Sequence, residues 1–243
     1  MLFRSSLFYG TAKIHKDGCP LRPVVSTIGL STYQISRYLS QLLAPYVQQA
    51  PSYIRNTADF VEQLSDVRIA ADETMVSFDV KSLYTSVPVD AAIVAVEETL
   101  RDDSGFEERL GVSAETVTDL LRLCLTTTDF QFRGRHYEME DGLAMGSPVS
   151  CAVANIFMDK LERVALSKFT PRPKLWRRYV DDVFAIVKRM VIHELLRHLN
   201  EQHPRITFTV ENESNSTLPF MDVKVHRCED TSLKIDIYRK PTH

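Results

Sequence analysis

The chain has 243 residues, 44% of them hydrophobic and 25% charged, with a formal net charge of −3. These are the proportions of an ordinary globular protein with enough chain for a sizeable core, as one large domain or two small ones. No apolar run approaches the roughly 18–20 residues of a membrane span, and Met1–Tyr9 lacks the long apolar core of a signal peptide. Cys19, Cys124, Cys151 and Cys228 form no Cys-x-x-Cys pair, which argues against zinc and a disulfide framework and fits a reducing compartment.

In chain order, residues 7–28 read as a hairpin of two runs, Leu7–His15 and Cys19–Ser26, about the turn signal Asp17-Gly18. Ser31 then caps a helix with Ile35, Tyr38, Leu39, Leu42 and Leu43 on one face. A second helix after Thr57 turns Phe60, Val61 and Leu64 inward. Thr74–Val80 is a strand in which Val76, Phe78 and Val80 alternate onto one face and Asp79 onto the other. An aspartate in so apolar a strand costs free energy unless something pairs with it. A helix follows Pro88 to about Arg101, and charged Asp102–Gly111 reads as a surface loop. Ser113 caps the next helix. Phe130–Phe132 and His136–Met139 bracket Arg133-Gly134-Arg135 as a short hairpin, and Ser147-Pro148 open a helix to about Val164.

Trp176–Val187 consists of two apolar strand-like runs meeting at Asp181-Asp182, so the pair sits at or beside a hairpin turn. An isolated Asp-Asp pair is ordinarily a solvated turn. A third carboxylate on a second apolar strand points instead to a divalent-cation site. Mg²⁺ takes hard oxygen ligands, usually one or two carboxylates completed by substrate phosphates and water. The acidic balance is not by itself the footprint of a nucleic-acid binder. However, Lys168, Arg172, Lys174, Arg177 and Arg178 make a local basic track leading into the aspartates. The chain continues with an amphipathic helix carrying Leu195 and Leu199, an alternating strand at 206–210, and strand-like runs at 220–226 and 233–239. His193, His198 and His203 are five apart, do not stack on one helix face, and read as solvated surface residues.

Several of these stretches carry a resemblance. Tyr-Val-Asp-Asp at 179–182, Phe-Asp-Val-Lys-Ser-Leu-Tyr-Thr-Ser-Val-Pro at 78–88 and Gly-Leu-Ala-Met-Gly-Ser-Pro at 142–148 resemble the motifs of a reverse transcriptase. Lys-Ile-His-Lys at 13–16, Pro-Leu-Arg-Pro-Val-Val-Ser at 20–26, Leu-Pro-Phe-Met-Asp-Val at 218–223 and Tyr-Arg-Lys-Pro-Thr-His at 238–243 are similar to its Penelope-like retroelement branch. The motifs stand in the expected order over nearly the whole chain. Met145 departs from the pattern, standing where many reverse transcriptases carry Gln.

The resemblance implies an α+β, right-hand polymerase fold with an antiparallel palm sheet packed on helices. Residues 1–73 would be the fingers and 74–243 the palm, with an inserted helix and hairpin at 113–140. The thumb and C-terminal nuclease domain would be missing. It implies an RNA-directed DNA polymerase of a retrotransposon, extending a DNA primer on an RNA template with dNTPs, and an intracellular, nuclear place of action. Asp79, Asp181 and Asp182 would be catalytic and, with Val80, hold two Mg²⁺ ions (or Mn²⁺) about 3.5–4 Å apart. Lys13, Lys16, Arg22, Tyr84, Gly146 and Ser147 would bind the nucleotide: the cations at its triphosphate, the Tyr84 ring beneath its sugar, and Gly146 by admitting close backbone approach. The alternatives are an inactive or domesticated copy that binds nucleic acid or a partner, and an RNA-directed RNA polymerase, against which Tyr84 speaks.

Overall fold

The computed structural model describes residues 6–12 and 18–239. β1 (Ser6–Ala12) and β2 (Leu21–Ser26) pair antiparallel as the predicted hairpin requires, residues 13–17 of its turn lying outside the described residues. α1 (Tyr33–Gln48) buries Leu39 and Leu43 while leaving Tyr38 exposed, against expectation. Asn56 caps α2 (Thr57–Leu64), accepting the Asp59 amide at 3.0 Å. β3 (Glu73–Val80) leads to a single helical turn, α3 (Leu83–Ser86), and to α4 (Val89–Arg101). The stretch expected as a loop after Arg101 contains α5 (Phe106–Leu110), because Phe106 is buried beside Tyr46, ring centroids 6.4 Å apart. Ser113 caps α6 (Ala114–Thr126) as predicted, accepting the Thr116 amide at 3.1 Å.

β4 (Asp129–Phe132) and β5 (Arg135–Glu138) form the short hairpin, followed by α7 (Ser150–Lys168). β6 (Leu175–Tyr179) and β7 (Asp182–Lys188) form the aspartate hairpin, and α8 (Ile192–Asn200) follows. β8 (Phe208–Asn212), β9 (Thr217–Phe220), β10 (Val223–Arg227) and β11 (Leu233–Ile237) complete the elements. The single run expected at 220–226 is divided by a turn at Met221-Asp222, so Thr217–Phe220 is a strand of its own. Pro219 is tolerated there because β9 is the edge of its sheet.

The chain divides into two compact units, one of residues up to Val47 with Ser82–Lys160, the other of Gln48–Lys81 with Leu161 onward. The first holds a sheet in the order β2-β1-β4-β5, so strands from either side of residue 73 share it. The second holds an antiparallel sheet, β6-β7-β3-β8, and a smaller one, β11-β10-β9. Its core is an apolar cluster that includes Ile54, Leu64, Met75, Ile186 and Leu218 around the rings of Phe60, Phe184 and Phe220. The ring centroids lie 4.8–5.6 Å apart. Each such side chain taken fully from water stabilises by about 1.5–3 kcal/mol. The helices with largely antiparallel sheets, β1 and β4 pairing parallel, are the α+β architecture expected.

Candidate active site

Met75, Ser77 and Asp79 share one face of β3, and their direct partners on β7 are Ile186, Phe184 and Asp182. Met75, Phe184 and Ile186 are fully buried, whereas Asp79 and Asp182 are half-buried. One face of the sheet thus grades from apolar core to opposed carboxylates. On the other face Val76, Phe78 and Val80 are buried, as their alternation predicts. Tyr179 on β6 stands opposite Asp182 and Thr209 on β8 opposite Asp79. The Thr209 hydroxyl donates to the Asp79 carbonyl at 3.3 Å. Like charges set directly across a sheet destabilise it, so the Asp79–Asp182 pair favours a cation beside it.

Because Tyr179 pairs with Asp182, only Val180 and Asp181 form the turn. Val180 has φ +57 and Asp181 is not in the left-handed region. Positive φ at the first loop position alone is the pattern of a type II′ hairpin, where glycine is the usual resident. A branched side chain held there is strained by about 1–3 kcal/mol, and such strain clusters at working sites. The Val80 amide donates to the Asp181 carbonyl at 3.0 Å, tying the end of β3 to the turn. The Val80 side chain is buried, so its only ligand chemistry is the main-chain carbonyl.

The basic track leading into the turn does not survive folding as a surface. Arg178 is 1% exposed and its Nε donates to Glu162 at 3.0 Å. Arg177 is half-buried, its Nη1 donating to the carbonyls of Pro51 and Trp176 at 3.2 and 3.0 Å; burial draws its guanidinium pKa down. Lys174 pairs with Glu73 at 3.0 Å. Lys168 and Arg172 are exposed. The histidines are corrected in part: His193 is exposed, but His198 is half-buried, its Nε2 2.9 Å from the Ala165 carbonyl and its ring against Phe169.

The other sequence-predicted residues belong to the first unit. Lys13 and Lys16 lie outside the described residues. Arg22 is exposed on β2, in register with Thr11. Tyr84 is half-buried in α3, and its carbonyl accepts the Leu143 amide at 2.7 Å. This joins it to the Gly142–Pro148 loop. Gly146 has φ +118, and a Cβ there would meet the Val25 carbonyl oxygen at 2.5 Å. The residue is therefore required by packing against β2, whatever else approaches it. The Val25 amide donates to Met145 O at 2.8 Å, and the Thr27 hydroxyl to Gly146 O at 3.3 Å.

Ser147 Oγ is 2.9 Å from the buried Ser36 Oγ, which also accepts the Val149 amide at 3.2 Å. Asp141, just before the loop, accepts the amides of Val89 and Gly142 at 3.0 and 2.8 Å. Sequence reasoning missed Ser36, Asp141 and Glu162. Only Glu162 left a readable signal: a charge four residues after Met158 and three before Ala165, both fully buried.

The sequence model for reverse transcriptase (RNA-dependent DNA polymerase) matches residues 14–213. The chain belongs to the reverse transcriptase family. Among solved structures it is similar to apo telomerase from Candida tropicalis (TM-score 0.70, 12% identity, 96% of this chain and 49% of that one). It is also similar to Candida albicans telomerase in complex with a fragment of telomeric RNA (0.67, 12%, 97% and 47%). A third likeness is to the RNA-dependent RNA polymerase of a human picobirnavirus (0.65, 12%, 91% and 44%). At these identities the likeness establishes the right-hand polymerase fold. The chain spans about half the length of these structures. No curated protein sequence matches it.

Members of this family use divalent metal ions, and the donors present suit one. Asp79 and Asp182 are opposed hard oxygen donors, and Asp181 adjoins them. Among the described residues, no three His, Cys, Asp or Glu side chains gather closely enough to hold a metal by themselves. That is compatible with Mg²⁺, which is typically bound by one or two carboxylates with substrate phosphates and water supplying the rest.

Proposed function

We propose that this chain is the catalytic part of a Penelope-like retroelement reverse transcriptase, adding deoxynucleotides to a primer 3′-hydroxyl on an RNA template. The observation that carries the reading is the register of β3 against β7. It sets Asp79 directly opposite Asp182, at the mouth of a strained two-residue turn that contains Asp181. The family match and the retroelement-like wording at residues 13–16, 20–26, 218–223 and 238–243 support the finer assignment.

Asp79 and Asp181, with the Val80 carbonyl, are the proposed ligands of Mg²⁺, and Asp182 supports them from across the sheet. When bound, such ions neutralise triphosphate charge and acidify the attacking hydroxyl. The protein's own part is to hold its carboxylates in fixed facing positions, so that little reorganisation remains when substrate arrives. Arg22, with Lys13 and Lys16, meets the triphosphate. Tyr84 excludes a sugar bearing a 2′-hydroxyl, and Gly146, by admitting close backbone approach, and Ser147 complete the nucleotide-binding set. An apolar pocket rejects an added hydroxyl only about a hundredfold; a rigid ring in its place discriminates further.

Extension of a DNA primer on an RNA template, with dNTPs and then rNTPs, tests this reading. It predicts dNTP addition that needs Mg²⁺ or Mn²⁺. It also predicts that Tyr84→Ala lowers the ratio of kcat/KM for dNTP over rNTP by about tenfold or more. Primer extension with rNTPs alone by the parent chain would favour an RNA-directed RNA polymerase. No extension with either would favour a copy that binds without catalysis.

A further inference from the structure

We infer that Arg178 is the positioning residue of the Asp181–Asp182 turn, acting on it through the Val180 carbonyl from the buried side of the sheet. The inference rests on the reading of Asp79, Asp181 and Asp182 as the metal-handling carboxylates. The pleat puts Arg178 on the face opposite Tyr179 and Asp182. There it is 1% exposed, with Nε donating to Glu162 Oε1 at 3.0 Å. The other Glu162 oxygen accepts the Ser52 hydroxyl at 2.9 Å, and Glu162 is itself 2% exposed. The main chain of Arg178 is fixed as well, its amide donating to Ser52 O at 2.6 Å and its carbonyl accepting the Ile54 amide at 3.0 Å. From this anchored base the guanidinium Nη1 donates to the Val180 carbonyl at 3.3 Å.

Val180 is the residue that holds a φ of +57 without a glycine's freedom. A buried ion pair is no more stabilising than well-packed apolar side chains of the same volume. Its use here is conformational. Arginine stays charged, and its planar fork can serve Glu162 and the turn carbonyl together. A lysine at this position is a single point charge and cannot span both. Without the fork, the turn is free to leave the left-handed region. Asp182 then loses its fixed place opposite Asp79, and Asp181 its place in the turn, although no atom that would touch substrate has changed. The arrangement is that of an outer partner orienting a ligand, whose loss typically costs about 10–100-fold in metal affinity or activity.

The test uses the full chain with Arg178→Lys, and with the double variant Arg178→Met/Glu162→Met, which removes both buried charges at similar volume. Three measurements are made: hydrogen–deuterium exchange of the peptide covering residues 178–184, binding of Mn²⁺ alone by electron paramagnetic resonance, and kcat and KM for single-nucleotide addition. In folded variants, exchange in the turn should quicken and Mn²⁺ affinity should fall about tenfold or more. kcat should fall with it, while KM for dNTP changes less than about twofold, since the nucleotide contacts are untouched. Parental exchange in the turn of either folded variant would overturn the inference. So would faster exchange with parental Mn²⁺ binding and kcat. If the double variant does not fold, Arg178→Lys decides the matter alone. Should the parent chain bind no Mn²⁺ and add no nucleotide, the proposed function fails, yet the exchange measurement still decides whether Arg178 holds the turn.

Discussion

Of the loops that carry positive-φ backbone, Gly142–Pro148 and Tyr179–Asp182 are held by different means. In the Gly142–Pro148 loop the unusual φ falls on Gly142 and Gly146, which adopt it freely, and what presses on them is the backbone of Thr85 and of Val25 and Ser26. In the Tyr179–Asp182 turn it falls on Val180, which resists it, and buried Arg178 grips the carbonyl. The first loop is shaped to close-pack a helix start against a strand. The second is shaped against its own preference, with Asp181 and Asp182 directly after the strained residue. The comparison separates a glycine that serves packing from a branched residue held in a glycine-like conformation.

The largest effect should come from leaving the buried arginine alone. Glu162→Ala strips Arg178 of its carboxylate and should destabilise by about 3–5 kcal/mol in urea unfolding. A loss below about 1 kcal/mol would mean that Arg178 finds water or another partner and that the turn is not held from beneath. Next is Gly146→Ala, where a strained φ and a Cβ overlapping the Val25 carbonyl together should cost about 2–4 kcal/mol. If stability is unchanged and only KM for dNTP rises, the glycine serves nucleotide approach instead, and the contrast between the loops collapses.

Smaller and of opposite sign is Val180→Gly, which relieves the strained residue and should gain up to about 1 kcal/mol, offset in part by the flexibility of glycine. A clear loss in the same unfolding assay would show that Val180 sits comfortably. The smallest effect concerns labelling alone. Burial pushes the Cys124 thiol up to about 11, so below that pH it stays protonated and unreactive. At pH 8 iodoacetamide should modify exposed Cys19 and Cys151 and spare Cys124. Gly146→Ala, by loosening the first unit, should speed Cys124 labelling, and Val180→Gly should not.

The strand pairings of the three hairpins were legible in the sequence for one physical reason. Apolar strand-like runs meeting at a turn signal are a local pattern, and the alternation of Val76, Phe78 and Val80 is what set Asp79 on the opposite face. The partner of Gly146 was not legible, because Val25 is remote in the chain and nothing local distinguishes a glycine that meets backbone from one that meets a ligand. Nor was the fate of Arg178, since a run of basic residues reads alike whether it faces solvent or a buried glutamate. The helix at Phe106–Leu110 was missed because its many charges masked the single buried ring of Phe106 that anchors it.

The central claim is that Asp79, Asp181 and Asp182 carry metal-dependent nucleotide addition. It is tested most directly by single-turnover addition of one dNTP to a primed RNA template across a Mg²⁺ titration, comparing the parent chain with Asp79→Asn and Asp181→Asn. Each substitution keeps the side chain's shape and removes its charge. The account predicts parental melting temperatures and rates lower by about a thousandfold or more at every Mg²⁺ concentration, with Asp182→Asn less affected. Rates comparable to the parent in either Asp79→Asn or Asp181→Asn would contradict it.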